Sequence, residues 1–451
     1  MASPIQLPAR NAPGPSLVSF FTDVRKFRSD PLRSFLEYTL KYGDVVRYRG
    51  LWVTYQITHP EHILQILQTN AGNYRKGRDY RILRLSLGEG LLTSEGSLWQ
   101  RQRRMTQPAF QSGQIAGFMP IMEQQSLAML EKWEAYAGGT VFDVVPELIR
   151  LTLNIVGHAL FTTSLDSDLD CIQDTLNVGR EYSVKRAWSV VRIPQWLPTP
   201  GNRRHRNSLA GFHAVIDRVI AERRSCSQPI ADLLTMLMQA RDEDGSQMSA
   251  RHLRDEVATL LTAGHETTTL VLAWVIFLIS TRPEVVEQIS AELSFLNGRA
   301  PAYEDLARLR FTRMVAEEAM RLYPPVWVLS RTAVESDVIG GFQIPAGSEI
   351  LIFPYVTHRH PRWWDDPEKF QPERFLPRNT SARPRGAYIP FGAGPRTCVG
   401  LNFAMTEILV VLALLLQRFR FQLAVEPAEI HAEPSVTLRP NPGVPVRLRR
   451  I

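Results

Sequence analysis

Two stretches of this chain are apolar on nearly every side: residues 401–416, and a longer run from about Ser249 to Ser280. Both are too long for a strand and read as buried helices. Ser249 is placed to cap the longer one, and Pro283 to open a fresh helix after it. About 30 residues at 1.5 Å each give a helix of about 45 Å. Near the N-terminus, β-branched and aromatic residues over 44–49 and 53–58 flank Gly50 and predict a hairpin. Pro60, with Glu61 behind it, then predicts a helix start. A basic helix is expected over 97–108, carrying Trp99 and Arg103 on one face at i and i+4. Residues 122–224 read mostly as helix with one break at 193–202, whose three prolines and one glycine suit a loop.

Polar residues interrupt this pattern in few places. Gly264 in mid-helix costs about 1 kcal/mol relative to Ala. Beside it, Glu266 and Thr267 put a carboxylate and a hydroxyl into a mostly apolar helix, where Thr can bond back to a carbonyl one turn earlier. A zinc-protease reading fails, because His265-Glu266 is followed at the fourth position by Thr269 and not a second His. The second interruption is 391–400, where Gly392, Gly394, Pro395 and Gly400 surround Cys398 just ahead of an apolar helix. A cysteine there sits near the positive end of a helix dipole, which favours a thiolate. Such a thiolate is a nucleophile, a metal ligand or a structural thiol in a Gly-Pro turn, and no local histidine serves as a base. On the helix ending at Tyr323, Glu318 and Arg321 are spaced i, i+3, as surface pairs often are.

Composition narrows the choices. At 451 residues the length alone suggests about three domains. The absence of linkers, repeats and low-complexity runs argues instead for a single domain over 1–451, with a short proline-rich extension over about 1–20. The cysteines Cys171, Cys226 and Cys398 are too scattered for a disulfide framework, which implies a reducing compartment. The net charge of +7 is concentrated in short arginine clusters, none long enough for a nucleic-acid arm. Such a surface attracts acidic partners at low salt. No signal peptide or membrane anchor is expected, since the uncharged apolar runs 270–279 and 408–416 fall short of the ~20 residues a span needs. The expected state is a soluble, cytoplasmic protein, the alternative being a chain whose anchor has been removed.

The residues Phe391, Gly394, Arg396, Cys398 and Gly400 follow F-x-x-G-x-R-x-C-x-G, which resembles the haem-ligand loop of the cytochrome P450 family, the haem-thiolate monooxygenases. Ala263, Gly264, Glu266, Thr267 and Thr268 resemble that family's distal helix. Glu318 and Arg321, with Arg374 in the segment 372–375, resemble its E-x-x-R and P-E-R-F elements. Trp99 with Arg103, and Arg331, also match family positions. The resemblance implies a mainly α fold with small β-sheets and haem b between the long central helix and the cysteine loop. A strand is expected near 349–353 and a C-terminal pair within 434–449. Cys398 would ligate the iron, Trp99 and Arg103 one propionate, Arg331 and Arg396 the other. Phe391, Gly400, Ala263 and Gly264 would line the cofactor. Glu266 and Thr267 would relay protons to bound O2, and Glu318, Arg321 and Arg374 would form a buried triad.

By the same resemblance, segments 78–92, 259–267, 325–331 and 434–438 face the substrate. Their aliphatic residues, such as Leu87, Leu260, Ala263, Val328 and Val436, favour a hydrophobic molecule: a fatty acid, terpenoid or steroid. Arg78, Arg81 and Arg84 are expected in solvent or, alternatively, at a substrate carboxylate. Electrons are expected from a separate ferredoxin- or flavodoxin-type protein with its reductase, docking by the arginines near Trp99. The competing readings are a peroxide-driven or rearranging haem-thiolate enzyme, for which the relay has little use, and a non-enzymatic haem sensor.

Overall fold

The computed structural model describes residues 10–16, 26, 27, 29–50, 53–187, 189, 193–226, 232–241 and 245–451, so most of the proline-rich extension lies outside them. The class is mainly α with small sheets. The chain divides into two compact units, Met1–Arg81 with Met320–Cys398, and Ile82–Ala319 with Val399–Ile451.

The first unit is built on a five-stranded sheet. Its strands are β1 (Val45–Arg49), β2 (Val53–Ile57), β3 (Tyr74–Lys76), β4 (Leu329–Ala333) and β5 (Glu349–Ile352), in the order β1-β2-β5-β4-β3. The hairpin expected around Gly50 is β1–β2, in register from Val45 opposite Ile57 to Arg49 opposite Val53. The pair β2–β5 is parallel, with Thr54 opposite Glu349. Ile57, Ile63, Ile350 and Ile352 are fully buried together beneath it. A helix, Pro31–Tyr42, starts where Asp30 accepts the Arg33 N–H and ends at Gly43, whose φ of 95° needs a residue without Cβ. That helix is tied to β2 by the buried Gln56, which accepts from the Tyr48 hydroxyl and donates to the Phe35 carbonyl at 2.9 Å and Thr39 Oγ1 at 2.6 Å.

Arg321 organises the irregular half of this unit. It is fully buried and donates to the carbonyls of His358 at 2.9 Å, Pro367 at 2.7 Å and Lys369 at 3.0 Å. Its guanidinium also lies 5.1 Å from the Trp364 ring centre. Arg374 donates to the Asp366 carbonyl in the same stretch at 3.0 Å. Glu318, in the other unit, is likewise fully buried. Neither Glu318 nor Arg321 belongs to a surface pair.

The second unit is mostly helical. The long helix is Ala250–Ile279, capped by Ser249 as expected, and Leu401–Arg418 is the second apolar helix. Gly264 is explained by close packing on Val144–Phe161: a Cβ there would lie 3.1 Å from Val156 Cγ2. Thr152 and Thr269 bond between the same two helices at 2.7 Å. Glu407, on Leu401–Arg418, is completely buried. Burial drives its pKa well up, with the Thr268 hydroxyl pulling the other way. Neither of its oxygens makes a full hydrogen bond among the described residues.

Three expectations need correction. Residues 122–224 contain further breaks: the short strand Val141–Asp143 lies between Ser112–Trp133 and Val144–Phe161, and another turn precedes Leu169–Ala187. Val141–Asp143 is held by pairing with Pro445–Arg450, a partner about 300 residues away that local pattern cannot reveal. The C-terminal strands also differ. His431–Pro434 pairs with Leu438–Asn441, while Pro445–Arg450 pairs with Phe419–Leu423. Finally, Val144–Phe161, Ala250–Ile279 and Leu401–Arg418 are each long and apolar enough to cross a membrane by length and composition, because each tolerates a charge or two. Most of each is buried inside the protein.

Replacing Arg321 with Leu strands three buried carbonyls at about 1–3 kcal/mol each. The expected outcome is loss of soluble protein or a large drop in the urea midpoint, with Arg321→Lys intermediate. A Leu variant that unfolds at the wild-type midpoint would show that those carbonyls find other donors.

Candidate functional site

In the first unit the turn leading to Cys398 is fixed by backbone geometry. Gly392 and Gly394 have φ of 72° and 70°, in the left-handed region that side chains avoid. A Cβ on Gly394 would also lie 1.9 Å from the Leu67 carbonyl oxygen, so residue 394 has no room for one. The Cys398 N–H donates to the Phe391 carbonyl at 3.0 Å, and Thr397 Oγ1 to the Gly394 carbonyl at 2.7 Å. The cysteine is thereby held by its backbone while its side chain is exposed. It precedes Gly400, the cap of Leu401–Arg418, by two residues.

Arg331 is buried on β4 and donates to the Ser330 carbonyl at 2.8 Å. Tyr80 lies beside it. Burial raises the Tyr80 pKa, while a hydrogen bond from Arg331 and the nearby charges of Arg331 and Arg396 oppose the rise. Tyr80 thus lies within electrostatic reach of both expected propionate arginines. It was not singled out from the sequence, where its arginine neighbours drew attention instead. Arg78 is not a free cation: its N–H donates to Glu349 at 2.9 Å and its side chain pairs with the same carboxylate at 3.7 Å.

In the second unit, the long helix is buried along most of its length but open at Ala263, with Glu266 and Thr267 half-buried beside it. Thr267 Oγ1 donates to the Ala263 carbonyl at 2.8 Å, the back-bond expected of it. Its lone pairs are left as acceptors. Glu266 Oε1 accepts from Thr437 Oγ1 at 2.8 Å and lies 3.9 Å from Arg439 Nε. His265 points elsewhere: its Nδ1–H donates to the Leu261 carbonyl at 2.7 Å, and burial lowers its pKa. Leu87 and Leu260 are buried, whereas Val436 is exposed. Trp99 and Arg103 are half-buried on Gly96–Thr106, and Arg103 Nε donates to Gln107 at 3.3 Å. Arg84 bonds the Thr93 carbonyl at 2.8 Å and pairs with Glu89 at 3.2 Å.

Two functional-region residues escaped the sequence reading. Asp255 accepts the Glu89 N–H at 2.8 Å; Glu256 accepts the Leu91 N–H at 2.9 Å and Thr106 Oγ1 at 3.3 Å. Together they hang the loop 88–91 on the long helix. A Cβ at Gly88 would meet the Asp255 carboxyl at 2.2 Å, and one at Gly90 would meet Thr259 Oγ1 at 2.1 Å. The available signal was a pair of adjacent carboxylates in an apolar helix together with Gly-x-Gly upstream.

The donor set fits a haem. Among the described residues no three His, Cys, Asp or Glu side chains gather into a metal site. The exposed Cys398 could supply one soft ligand as its thiolate where a porphyrin supplies four, and the buried Arg331 could pair with a porphyrin carboxylate.

Comparison with known proteins agrees. Residues 12–446 match the family model described as Cytochrome P450. The chain is 36% identical over 407 residues to cyclooctatin synthase of Streptomyces melanosporofaciens, covering 89% of this chain and 88% of that protein. It is 34% identical to cyclooctat-9-en-7-ol 5-monooxygenase of the same organism, covering 93% and 92%. It is also 34% identical to pentalenene oxygenase of Streptomyces avermitilis, covering 86% and 85%. The crystal structure of the cytochrome P450DA heme domain superposes with a TM-score of 0.88 at 25% identity, covering 99% of each chain. A haem-thiolate oxidoreductase is the class these features define. The chain belongs to the cytochrome P450 family, and its cofactor is haem with a cysteine thiolate as axial ligand. It is a monooxygenase that uses O2, a hydrophobic substrate and a redox partner.

Burial pushes the Glu256 pKa up to about 7 from an ordinary 4.5. A raised carboxyl contributes stability that is fully present below 4.5 and lost as pH climbs towards 7. The wild type should therefore lose urea stability over that interval relative to Glu256→Gln, which keeps the acceptor but does not titrate. Parallel pH profiles for the two proteins would mean that Glu256 is already ionised in the fold.

Proposed function

We propose that Cys398 is the axial thiolate and that the chain oxidises a terpenoid-like hydrophobic molecule. The observation that carries this reading is the cysteine turn, with its backbone fixed by Gly392, Gly394 and the Phe391 carbonyl and its thiol left exposed. When bound, haem supplies the activation of O2, and electron density from the thiolate favours O–O cleavage. The chain's own residues do the rest. Arg331 and Arg396 would neutralise one carboxylate of the cofactor, and Trp99 with Arg103 the other. Phe391, Gly400, Ala263 and Gly264 would shape its surroundings. Glu266 would take up and release a proton at its carboxyl, and Thr267 Oγ1, whose hydrogen is committed to the Ala263 carbonyl, would present lone pairs to that proton.

The substrate class is supported by relatives named for pentalenene and for cyclooctat-9-en-7-ol, by those names an alkene and an unsaturated alcohol. Aliphatic residues in the expected substrate segments reward apolar area at ~25 cal/mol per Å2 and disfavour polar molecules that leave groups unpaired. We further propose that both units act as one catalytic domain, since one family match runs through both. The proposed electron donor is a ferredoxin or flavodoxin with an acidic face, drawn to Arg101, Arg103 and Arg104. The proposed location is the cytoplasm, on the strength of the bacterial relatives.

Reduced protein treated with carbon monoxide should show the red-shifted band of thiolate-bound haem. Cys398→His should lose it, and Cys171→Ser and Cys226→Ser should keep it; persistence in Cys398→His overturns the ligand assignment. In a spectral-shift titration of the wild type, terpenoids should bind more tightly than sugars or small polar acids. Tight binding confined to the polar compounds sinks the substrate class and leaves the ligand assignment intact.

A further inference from the structure

The partners of Glu266 come from outside its own helix, and they come together. His431–Pro434 and Leu438–Asn441 form an antiparallel pair, with Pro434 opposite Leu438. The turn between them is closed by the Ser435 N–H donating to the Thr437 carbonyl at 3.1 Å. Three successive residues after that turn engage the long helix. Thr437 Oγ1 donates to Glu266 Oε1 at 2.8 Å. The Leu438 carbonyl accepts the indole N–H of the fully buried Trp274 at 3.2 Å. Arg439 Nε lies 3.9 Å from the same Glu266 oxygen.

The two side chains of that ion pair are each only 15% exposed. Burial lowers the Arg439 pKa, Glu266 and Glu433 oppose this, and the like charge of Arg180 adds to it. An arginine kept in such a place is held there chiefly by the acidic groups it faces. Glu266 is therefore oriented by a hairpin about 170 residues further along the chain, not by its helical neighbours. The neighbouring His265 is turned to the Leu261 carbonyl.

We propose that Thr437 and Arg439 are positioning residues that hold the Glu266 carboxylate in the orientation from which it serves the reaction. The proposal rests on the reading of Glu266 as a proton-handling residue. Thr437 fixes one oxygen by a directional hydrogen bond, and Arg439 supplies the charge that keeps the carboxyl turned towards the hairpin. The Trp274–Leu438 bond locks the register, so that neither residue can slip past the acid.

The test is a double-mutant cycle on the haem-loaded enzyme, with Thr437→Val, Arg439→Gln and Arg439→Lys, each in wild-type and Glu266→Gln backgrounds. Two quantities are read: the ratio of hydrogen peroxide to product per electron pair, and the urea-unfolding equilibrium constant followed by tryptophan fluorescence. In the wild-type background, Thr437→Val and Arg439→Gln should raise the peroxide ratio about twofold or more, the smallest effect of an ordinary pairwise coupling. In the Glu266→Gln background they should add almost nothing. Arg439→Lys should recover part of the loss. The unfolding constants should be non-additive by a similar factor. If Glu266→Gln uncouples the enzyme but the hairpin variants do not, or if their effects add fully to it, the positioning proposal is overturned and the relay reading stands. If Glu266→Gln leaves the peroxide ratio unchanged, both are overturned. Additive unfolding constants would also overturn the proposal, whatever the kinetics.

Discussion

A carboxylate removed from water must be given a donor, and the second unit is arranged around that requirement. The long helix carries three carboxylates in a mostly apolar run, two of them met by one loop and the third by a hairpin. Asp255 and Glu256 receive the N–H groups of Glu89 and Leu91, and Glu266 receives the Thr437 hydroxyl. An unpaired buried acid costs several kcal/mol or gives up its charge. The acids therefore select which loops can lie against the helix. The loop 88–91 and the hairpin after His431 are attached by donors rather than by shape alone. Glu407, which makes no full hydrogen bond among the described residues, takes the other way out and is pushed towards its neutral form.

The first unit meets the same requirement with the signs exchanged. Arg321 has no water around it and satisfies its guanidinium on three main-chain carbonyls between His358 and Lys369. An irregular segment with no ladder of its own is thereby given acceptor partners at fixed points. The cysteine turn uses a different device: at Gly394 the backbone of residue 67 approaches so closely that only hydrogen fits. A cation orders one stretch of loop, and the absence of a side chain orders the other. Between them they leave a thiol whose backbone has little freedom.

What was legible beforehand divides along physical lines. The long helix, its Ser249 cap and the early hairpin follow from periodicity, capping chemistry and β-branched runs, all of them local, whereas the strand Glu349–Ile352 was expected from the family resemblance. The cysteine turn and the Glu266–Thr267 step were legible because glycine, proline and polar residues stand out against an apolar background. The strand Val141–Asp143 was not, since three residues form a strand only because Pro445–Arg450 arrives beside them. Asp255 and Glu256 were missed for a related reason. A carboxylate in the first turns of a helix reads as solvent-facing until the loop that covers it is known. The hairpin partners of Glu266 lie too far along the chain for any spacing rule.

The parallel pairing of β2 with Glu349–Ile352 has a consequence in time. Thr54 emerges from the ribosome about 300 residues before Glu349, its neighbour in the sheet. At about 5–20 residues per second, that interval lasts about 15–60 s. Throughout it the early hairpin can form, being local, but one of its edges has no strand to lie against and Ile57 has no core to enter. A hairpin alone is marginal in water, and an open edge is a template for other chains. For most of its synthesis this protein therefore carries at its front end the surface most prone to pair wrongly, and its yield depends on how well that edge is shielded until residue 352 is made.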